Sequence, residues 1–296
     1  MKNIFAATAL VLIASAAFAT PGSTWLELGP GARSSALAET MTASATGATA
    51  NYWNPAGVGM YGNSIEAMYA DSWVEGASIQ YAAGAFEIGR IGFGVSAHYV
   101  GVGDLELRDR PSASPIGTYD ARNTALGLSL AYEVAWGVRV GAGVRYLNEQ
   151  IYVYDANGWA ADFGLLRHDL FDHKLDVGAA VRHIGDMGAL RRESEELPTT
   201  VAAGVRYKPG IFGEFKPALL ADVSKVSGYD VNLHVAAEVN VLGYIDLRAG
   251  YVSGYEGRGL SGGFGVTYKG IRFDFAYVPY QNDLGTETRY SVGGEW

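Results

Sequence analysis

The residues best suited to chemistry stand in one short run, Arg167-His168-Asp169-Leu170-Phe171-Asp172-His173, with His183 downstream. Two imidazoles and two carboxylates this close are donor types that bind zinc or a similar cation. The spacing supplies no further ligand to complete a site, so the run reads better as a hydrated turn between two strands. Serine offers no alternative, because no Gly-x-Ser-x-Gly elbow is present to expose a nucleophile. The Gly-x-Gly pairs, such as Gly141-Ala142-Gly143, fall inside alternating runs. They mark strand curvature or close packing, not phosphate loops. Arg191-Arg192-Glu193-Ser194-Glu195-Glu196 is a mixed-charge run of the kind found in solvated loops. No catalytic constellation emerges, and the expectation is a non-enzyme without metal or cofactor.

The elements that must carry these residues have a period of two. Phe93, Val95, Ala97 and Tyr99 oppose Gly92, Gly94, Ser96 and His98. Leu126, Leu128, Leu130 and Tyr132 oppose Gly127, Ser129, Ala131 and Glu133. In the next run Val138, Val140, Ala142 and Val144 oppose Arg139, Gly141, Gly143 and Arg145, and later Ile271, Phe273 and Phe275 oppose Arg272, Asp274 and Ala276. A helix needs apolar residues at spacings of three and four, which these runs lack. They are amphipathic strands.

Two architectures use such strands. A soluble sandwich or propeller turns the apolar faces inward; a transmembrane barrel turns them to lipid and lines its lumen with Arg139, Arg145, Glu133, Asp274 and small residues. The runs are about ten residues long, enough for a tilted strand to cross the hydrocarbon layer. Aromatic residues gather at run ends (Tyr99, Tyr132, Trp136, Tyr146, Tyr207, Tyr244, Tyr268, Tyr277), where an interfacial girdle belongs. These features favour an all-β, antiparallel transmembrane barrel embedded in outer-membrane lipid.

Compartment and charge agree. Lys2, the apolar Ile4–Ala14 and Ala17-Phe18-Ala19 form a signal peptide, residues 1–19, cut after Ala19. There is no cysteine, which excludes disulfides and thiolate metal sites. Net charge is −9 and becomes one unit more negative when Lys2 is removed, so nucleic acid is not an expected partner.

Fourteen alternating runs can be counted between 64–71 and 287–296, with twelve or sixteen strands as alternatives. The longest gaps, 101–121 and 185–196, are the third and seventh connections and fall at one end, as extracellular loops should. The shortest lie near 134–135, 241–243 and 269–270 at the other, where 167–173 is longer than expected. Fourteen strands enclose more space than their own side chains fill. A plug is required, and residues 20–60 are the natural source, leaving 61–296 for the barrel. Ala32–Ala50 suits one or two short helices with Ser34 or Ser35 as N-caps. Asn54-Pro55 then ends any helix, Gly57 permits the turn into the wall, and Tyr52 and Trp53 wedge the plug in place.

The stretch Leu26-Glu27-Leu28-Gly29-Pro30-Gly31-Ala32-Arg33, followed by Trp53-Asn54-Pro55-Ala56-Gly57, resembles the opening of the PorV/PorQ family of outer-membrane proteins. That family is itself similar to the FadL-type channels for hydrophobic compounds. The residues carrying the resemblance are Leu26, Leu28, Gly29, Gly31 and Arg33, with Trp53, Asn54, Pro55, Ala56 and Gly57; the match covers 24–58. It implies a fourteen-stranded barrel with an N-terminal hatch. It also implies a role in type IX secretion, taking exported proteins by a C-terminal sorting domain, with other secretion-system components as partners. The family's acidic pair before the aromatic is missing, since Ala43–Thr49 carries no carboxylate. Tyr290, Val292 and Trp296 share one strand face and resemble the C-terminal signal read by the barrel-assembly machinery. The alternative function is a FadL-like channel for hydrophobic small molecules; a structural or enzymatic barrel has no positive feature behind it.

Overall fold

The computed structural model describes residues 22–72, 74, 76–108, 110, 114–190, 195–255, 257–282 and 284–296. The signal-peptide reading of residues 1–19 lies outside them. Fifteen strands form one antiparallel sheet: β1 (Ser64–Asp71), β2 (Ala77–Ile88), β3 (Ile91–Leu107), β4 (Gly117–Ala135), β5 (Val138–Ile151), β6 (Tyr154–Asp169), β7 (Leu175–Met187), β8 (Glu195–Glu196), β9 (Thr200–Tyr207), β10 (Phe215–Val226), β11 (Val231–Val241), β12 (Ile245–Ser253), β13 (Leu260–Tyr268), β14 (Ile271–Pro279) and β15 (Thr286–Glu295). Each strand pairs with its sequence neighbours except at β8, which pairs with β7 alone while β7 pairs on with β9; β1 pairs with β15, so fourteen strands close a barrel and β8 is a short addition to β7.

The cross-strand rows show which face meets lipid. Phe93, Leu130, Ala142 and Phe163 form one outward row, and Val95, Leu128, Val144 and Ala161 the next. Above them come Ala97, Leu126, Tyr146 and Trp159, then Tyr99, Thr124, Asn148 and Asn157. The wall therefore passes from aliphatic to aromatic to polar within a few rows, the order of hydrocarbon, interface and water. Leu126, Leu128 and Leu130 each expose more than half of their surface, while Arg289, Asp162 and Asp274 inside are almost fully buried. In water such an apolar belt would drive association. Among the described residues no helix is long and apolar enough to cross a membrane; this chain crosses with strands.

The wall is uneven. β4 has 19 residues and β3 has 17, against 8 in β9 and 9 in each of β12, β13 and β14. This corrects the expected 101–121 loop, which shrinks to 108–116 because the β3–β4 ladder continues. A bulge between Val102 and Leu105, with Asp104 at φ 56°, lets pairing resume at Leu105–Tyr119. The expected 185–196 loop likewise loses 185–187 to β7 and 195–196 to β8. At the opposite end the turns are 89–90, 136–137, 170–174, 208–214, 242–244 and 269–270. The connection expected at 167–173 is a tighter reversal, because β6 runs through Asp169, and Phe171, Asp172 and His173 all turn through positive φ.

Residues 22–60 fill the lumen. They form a 3-10 turn at Thr24–Glu27, helix α1 (Ala32–Ala36), a second 3-10 turn at Gly47–Thr49, helix α2 (Ala50–Trp53) and a third at Pro55–Gly57. Nearly all of them are buried. Ser34 and Ser35 are not N-caps, which is a correction. Both sit inside α1 and donate back to the carbonyl of Gly31, with Ser34 also donating to Pro30. Gly31, at φ 100°, precedes the helix without a side-chain cap.

Candidate functional site: the plugged lumen

Plug and wall meet through carbonyl groups. An irregular segment buried in a lumen has main-chain oxygens that no helix or sheet satisfies, and leaving them bare costs free energy. Arginines projecting inward from the strands take them up. Arg139 donates through Nε to Ala56 O at 3.0 Å and through Nη2 to Val58 O at 2.8 Å. Arg145 reaches Tyr52 O at 3.2 Å, Arg182 reaches Trp53 O at 3.2 Å, and Arg289 donates to Gly29 O. Arg145 and Arg182 also lie over the Tyr52 ring, 4.9 and 5.6 Å from its centroid.

Trp53-Asn54-Pro55-Ala56-Gly57 is the fulcrum. Trp53 donates through Nε1 to Pro30 O at 3.1 Å, tying the two halves of the plug together. Asn54 ends α2 in an extended conformation, accepts from Ala56 N at 3.1 Å, and donates to Thr42 O at 2.7 Å and to Leu165 O in β6 at 3.2 Å. Pro55 and Ala56 press on Gly141 of β5, where a Cβ would stand 2.3 Å from Ala56 N and the Pro55 carbonyl carbon. Gly141 in the Gly-x-Gly pair thus serves close packing. Gly57 lies against Ala45 O, and Ala56 packs with Met60 and Leu166.

The Leu26–Arg33 stretch divides between apolar and ionic contacts. Leu26 is fully buried and Leu28 packs against the same apolar cluster, while the Trp53 ring occupies the space a side chain would take at Gly29. Arg33 makes a two-pronged ion pair with Glu238 of β11, 3.0 Å at each contact. From there a ladder crosses the lower lumen: Glu238 to Arg248 at 2.8 Å, Arg248 to Asp274 at 2.6 Å, and Asp274 to Arg272 at 2.8 Å. Arg272 continues it to Glu66 at 3.5 Å. Charges this buried persist only when paired. Asp274 and Arg139 are the sequence-selected members placed in these networks, and Arg145 joins Asp162 at 2.8 Å. Glu133 stands at the edge, 3.9 Å from Arg139.

Arg182, Arg248 and Arg289 complete the site and are not singled out by the sequence reading, whereas Glu238 falls on the polar face of its alternating run. Their signal was parity, since each occupies an inward position of an alternating strand. Tyr290, Val292 and Trp296 point outward to lipid, away from the plug. His168 and His173 do not form a metal centre: His168 lies 3.6 Å from Asp176, His173 lies 3.3 Å from Asp169, and Lys208 bridges both aspartates. His183 is elsewhere, against Tyr52. Among the described residues no group of three or more His, Cys, Asp or Glu is placed to hold a metal.

Towards the outer mouth the lining changes character. Trp25 and Leu26 share a buried apolar cluster with Val100, Ala125, Leu147, Ala156 and Met187, in the outer halves of their strands, and with Leu197 just after β8. Beneath the Thr24–Glu27 turn is a polar cavity of about 30 Å³, lined by Glu27, Glu39, Arg182, His183, Asp222 and His234 among others. It has room for water only. Burial, assisted by Glu39, pushes the Glu27 carboxyl up to about 7. Burial also opposes ionisation of Glu39, but Arg258, at 2.7 Å, outweighs it and holds Glu39 below the usual range.

No family model and no curated protein matches the sequence. Solved structures do match. The toluene transporter TodX of Pseudomonas putida is 15% identical with a TM-score of 0.61, covering 90% of this chain and 96% of its own. The toluene transporter TbuX of Ralstonia pickettii is 16% identical with a TM-score of 0.59, covering 90% and 98%. A FadL homologue of Pseudomonas aeruginosa is 12% identical with a TM-score of 0.56, covering 89% and 97%. Identities this low speak to fold, and the fold they share with this chain is that of the FadL-type outer-membrane β-barrels.

Proposed function

We propose that this chain is a plugged outer-membrane channel that admits small apolar molecules, with residues 22–28 as its movable part. The observation that carries the reading is the apolar lining near the outer mouth, which the plug itself fills with Trp25 and Leu26. Withdrawing those two side chains would leave a chamber walled by aliphatic residues, the kind of surface that binds an apolar guest. The likeness to barrels described as toluene transporters supports this reading over protein handling. Passage requires motion, since the cavity below is water-sized. The test is entry of an apolar fluorophore into vesicles carrying the protein. Entry faster than in protein-free vesicles, and faster still with Trp25→Ala, supports the channel. Equal rates in all three would sink it.

A PorV-like role in type IX secretion is the second reading. It is supported by the motif resemblance over 24–58 and by the tall β3–β6 wall, whose outer rows Arg122–Gln150 and Asn148–Asn157 are polar. Affinity capture from the native outer membrane decides it. Recovery of several exported proteins sharing one C-terminal domain is the supporting result, and their absence removes this reading.

A further inference from the structure

We infer that the periplasmic mouth of the lumen is a binding site for a small amphiphilic anion, a carboxylate or phosphate head on a short alkyl tail. A cavity of about 550 Å³ opens there, below the plug and at the end of the short turns. That volume falls in the range of roughly 300–1,000 Å³ typical of small-molecule sites. Lys174, Arg206, Lys208 and Lys216 line it, and Ile211, Pro217 and Ala218 give it an apolar floor.

The distribution of partners selects the sign of the ligand. Two of the three carboxylates in the lining are already committed. Glu238 is held by Arg33 at 3.0 Å and Arg248 at 2.8 Å, and Asp246 by Arg248 at 3.2 Å. Lys208 is occupied by Asp176 at 2.9 Å and Asp169 at 3.2 Å, and His173 lies beside Asp169. Lys174 and Lys216 make no ion pair among the described residues. Arg206 approaches Glu238 through Nη2 at 3.6 Å, and its buried Nε has no hydrogen-bond partner. Against these stands only Asp172. The Arg206 side chain is 27% exposed, and an anionic head between its terminal nitrogens and the two lysines would pair with all three. The lysine stems and Ile211 would then flank the tail.

The site lies at the opposite end of the lumen from Trp25 and does not depend on the channel reading, because binding is measured on the closed barrel. The probes are hexanoate and hexyl phosphate, titrated by calorimetry into delipidated protein in a nonionic detergent, with hexyltrimethylammonium as the reversed charge. Both anions should bind, the cation should not, and added salt should weaken binding. A double Lys174→Gln, Lys216→Gln variant should lose about tenfold in affinity, Asp172→Asn should gain, and Lys225→Gln, far from this mouth, should change nothing. Equal binding of the cation, no binding of either anion, or an unaltered double variant would overturn the inference. Native mass spectrometry separates the ligand's sources. Phospholipid retained from the membrane and displaced by hexanoate points to a lipid head, whereas binding to delipidated protein with no retained lipid points to a soluble anion.

Discussion

The two ends of the plug are held in different ways. Residues 29–58 are pinned by directional contacts: arginines from β5, β7 and β15 on their carbonyls, Asn54 on β6, and Arg33 in the ion ladder. Residues 22–28 rest mainly on apolar contact through Trp25 and Leu26, with these directional ties: Ser23 donates to Glu149 at 3.1 Å, Gly22 to the Glu196 carbonyl at 3.2 Å, and the Tyr52 hydroxyl to the Leu26 carbonyl. Directional contacts are lost together when broken, whereas an apolar seat can exchange one occupant for another at small net cost. The difference teaches where such a plug gives way. The lower part behaves as wall, and the upper part as a removable guest.

The most severe way to break this contrast is Gly141→Val, which drives a side chain into Pro55 and Ala56. Residues 54–58 should leave their seat, giving steady conductance in planar bilayers; a silent bilayer with unchanged thermal stability would contradict the pinning. Arg248→Gln comes next, removing the partner that Glu238 and Asp274 share and leaving them to Arg33 and Arg272. Breaking a buried ion pair from one side costs about 3–5 kcal/mol, read as a lower denaturant midpoint in detergent. Trp25→Ala should be local and no larger, about 3 kcal/mol at the low end for a buried tryptophan, with faster amide exchange at 22–28 and little change at 50–58. Loosening of both segments together would abolish the distinction drawn here.

Acidity sharpens it further. Glu27 ionises near 7 in the folded chain against 4.5 for a free carboxyl, so folding favours its neutral form. Its contribution is complete below 4.5 and is lost as pH rises through about 7. Exchange at 22–28 should therefore accelerate across that window, and Glu27→Gln should flatten the profile. The smallest effect belongs to Asp120 and Arg122, a 2.7 Å pair on the exposed outer wall. Asp120→Asn should leave the unfolding midpoint where it is, since exposed pairs are screened by water and salt.

Alternation made the barrel legible because lipid outside and polar lumen inside impose opposite demands on neighbouring residues. The same logic explains where the reading stopped. Beyond Tyr99 and Thr124 the wall stands in water on its outer face, so Asp104, Glu106 and Asp120 carry no apolar rhythm and read as loop. Arg139, Arg145 and Asp274 were visible as inward charges on otherwise apolar strands. Their partners were not, because whether Arg139 meets Ala56 or Trp53 depends on strand stagger and on the path of an irregular segment, neither of which is local in sequence. Ser34 and Ser35 misled for a related reason: a serine inside a short helix can bond back to a carbonyl one turn earlier as readily as it caps.

The seam of the barrel has a consequence in time. Asn63, which joins the plug to β1, exchanges both main-chain hydrogen bonds with Trp296, each at 3.1 Å, and β1 pairs along its length with β15. These contacts join residues far apart in the sequence, and distant contacts are slow to form. The plug is covalently attached to the strand that must complete the ring. Attachment at Asn63 therefore tethers the plug to the closing seam, so that filling the lumen and closing the ring are coupled steps.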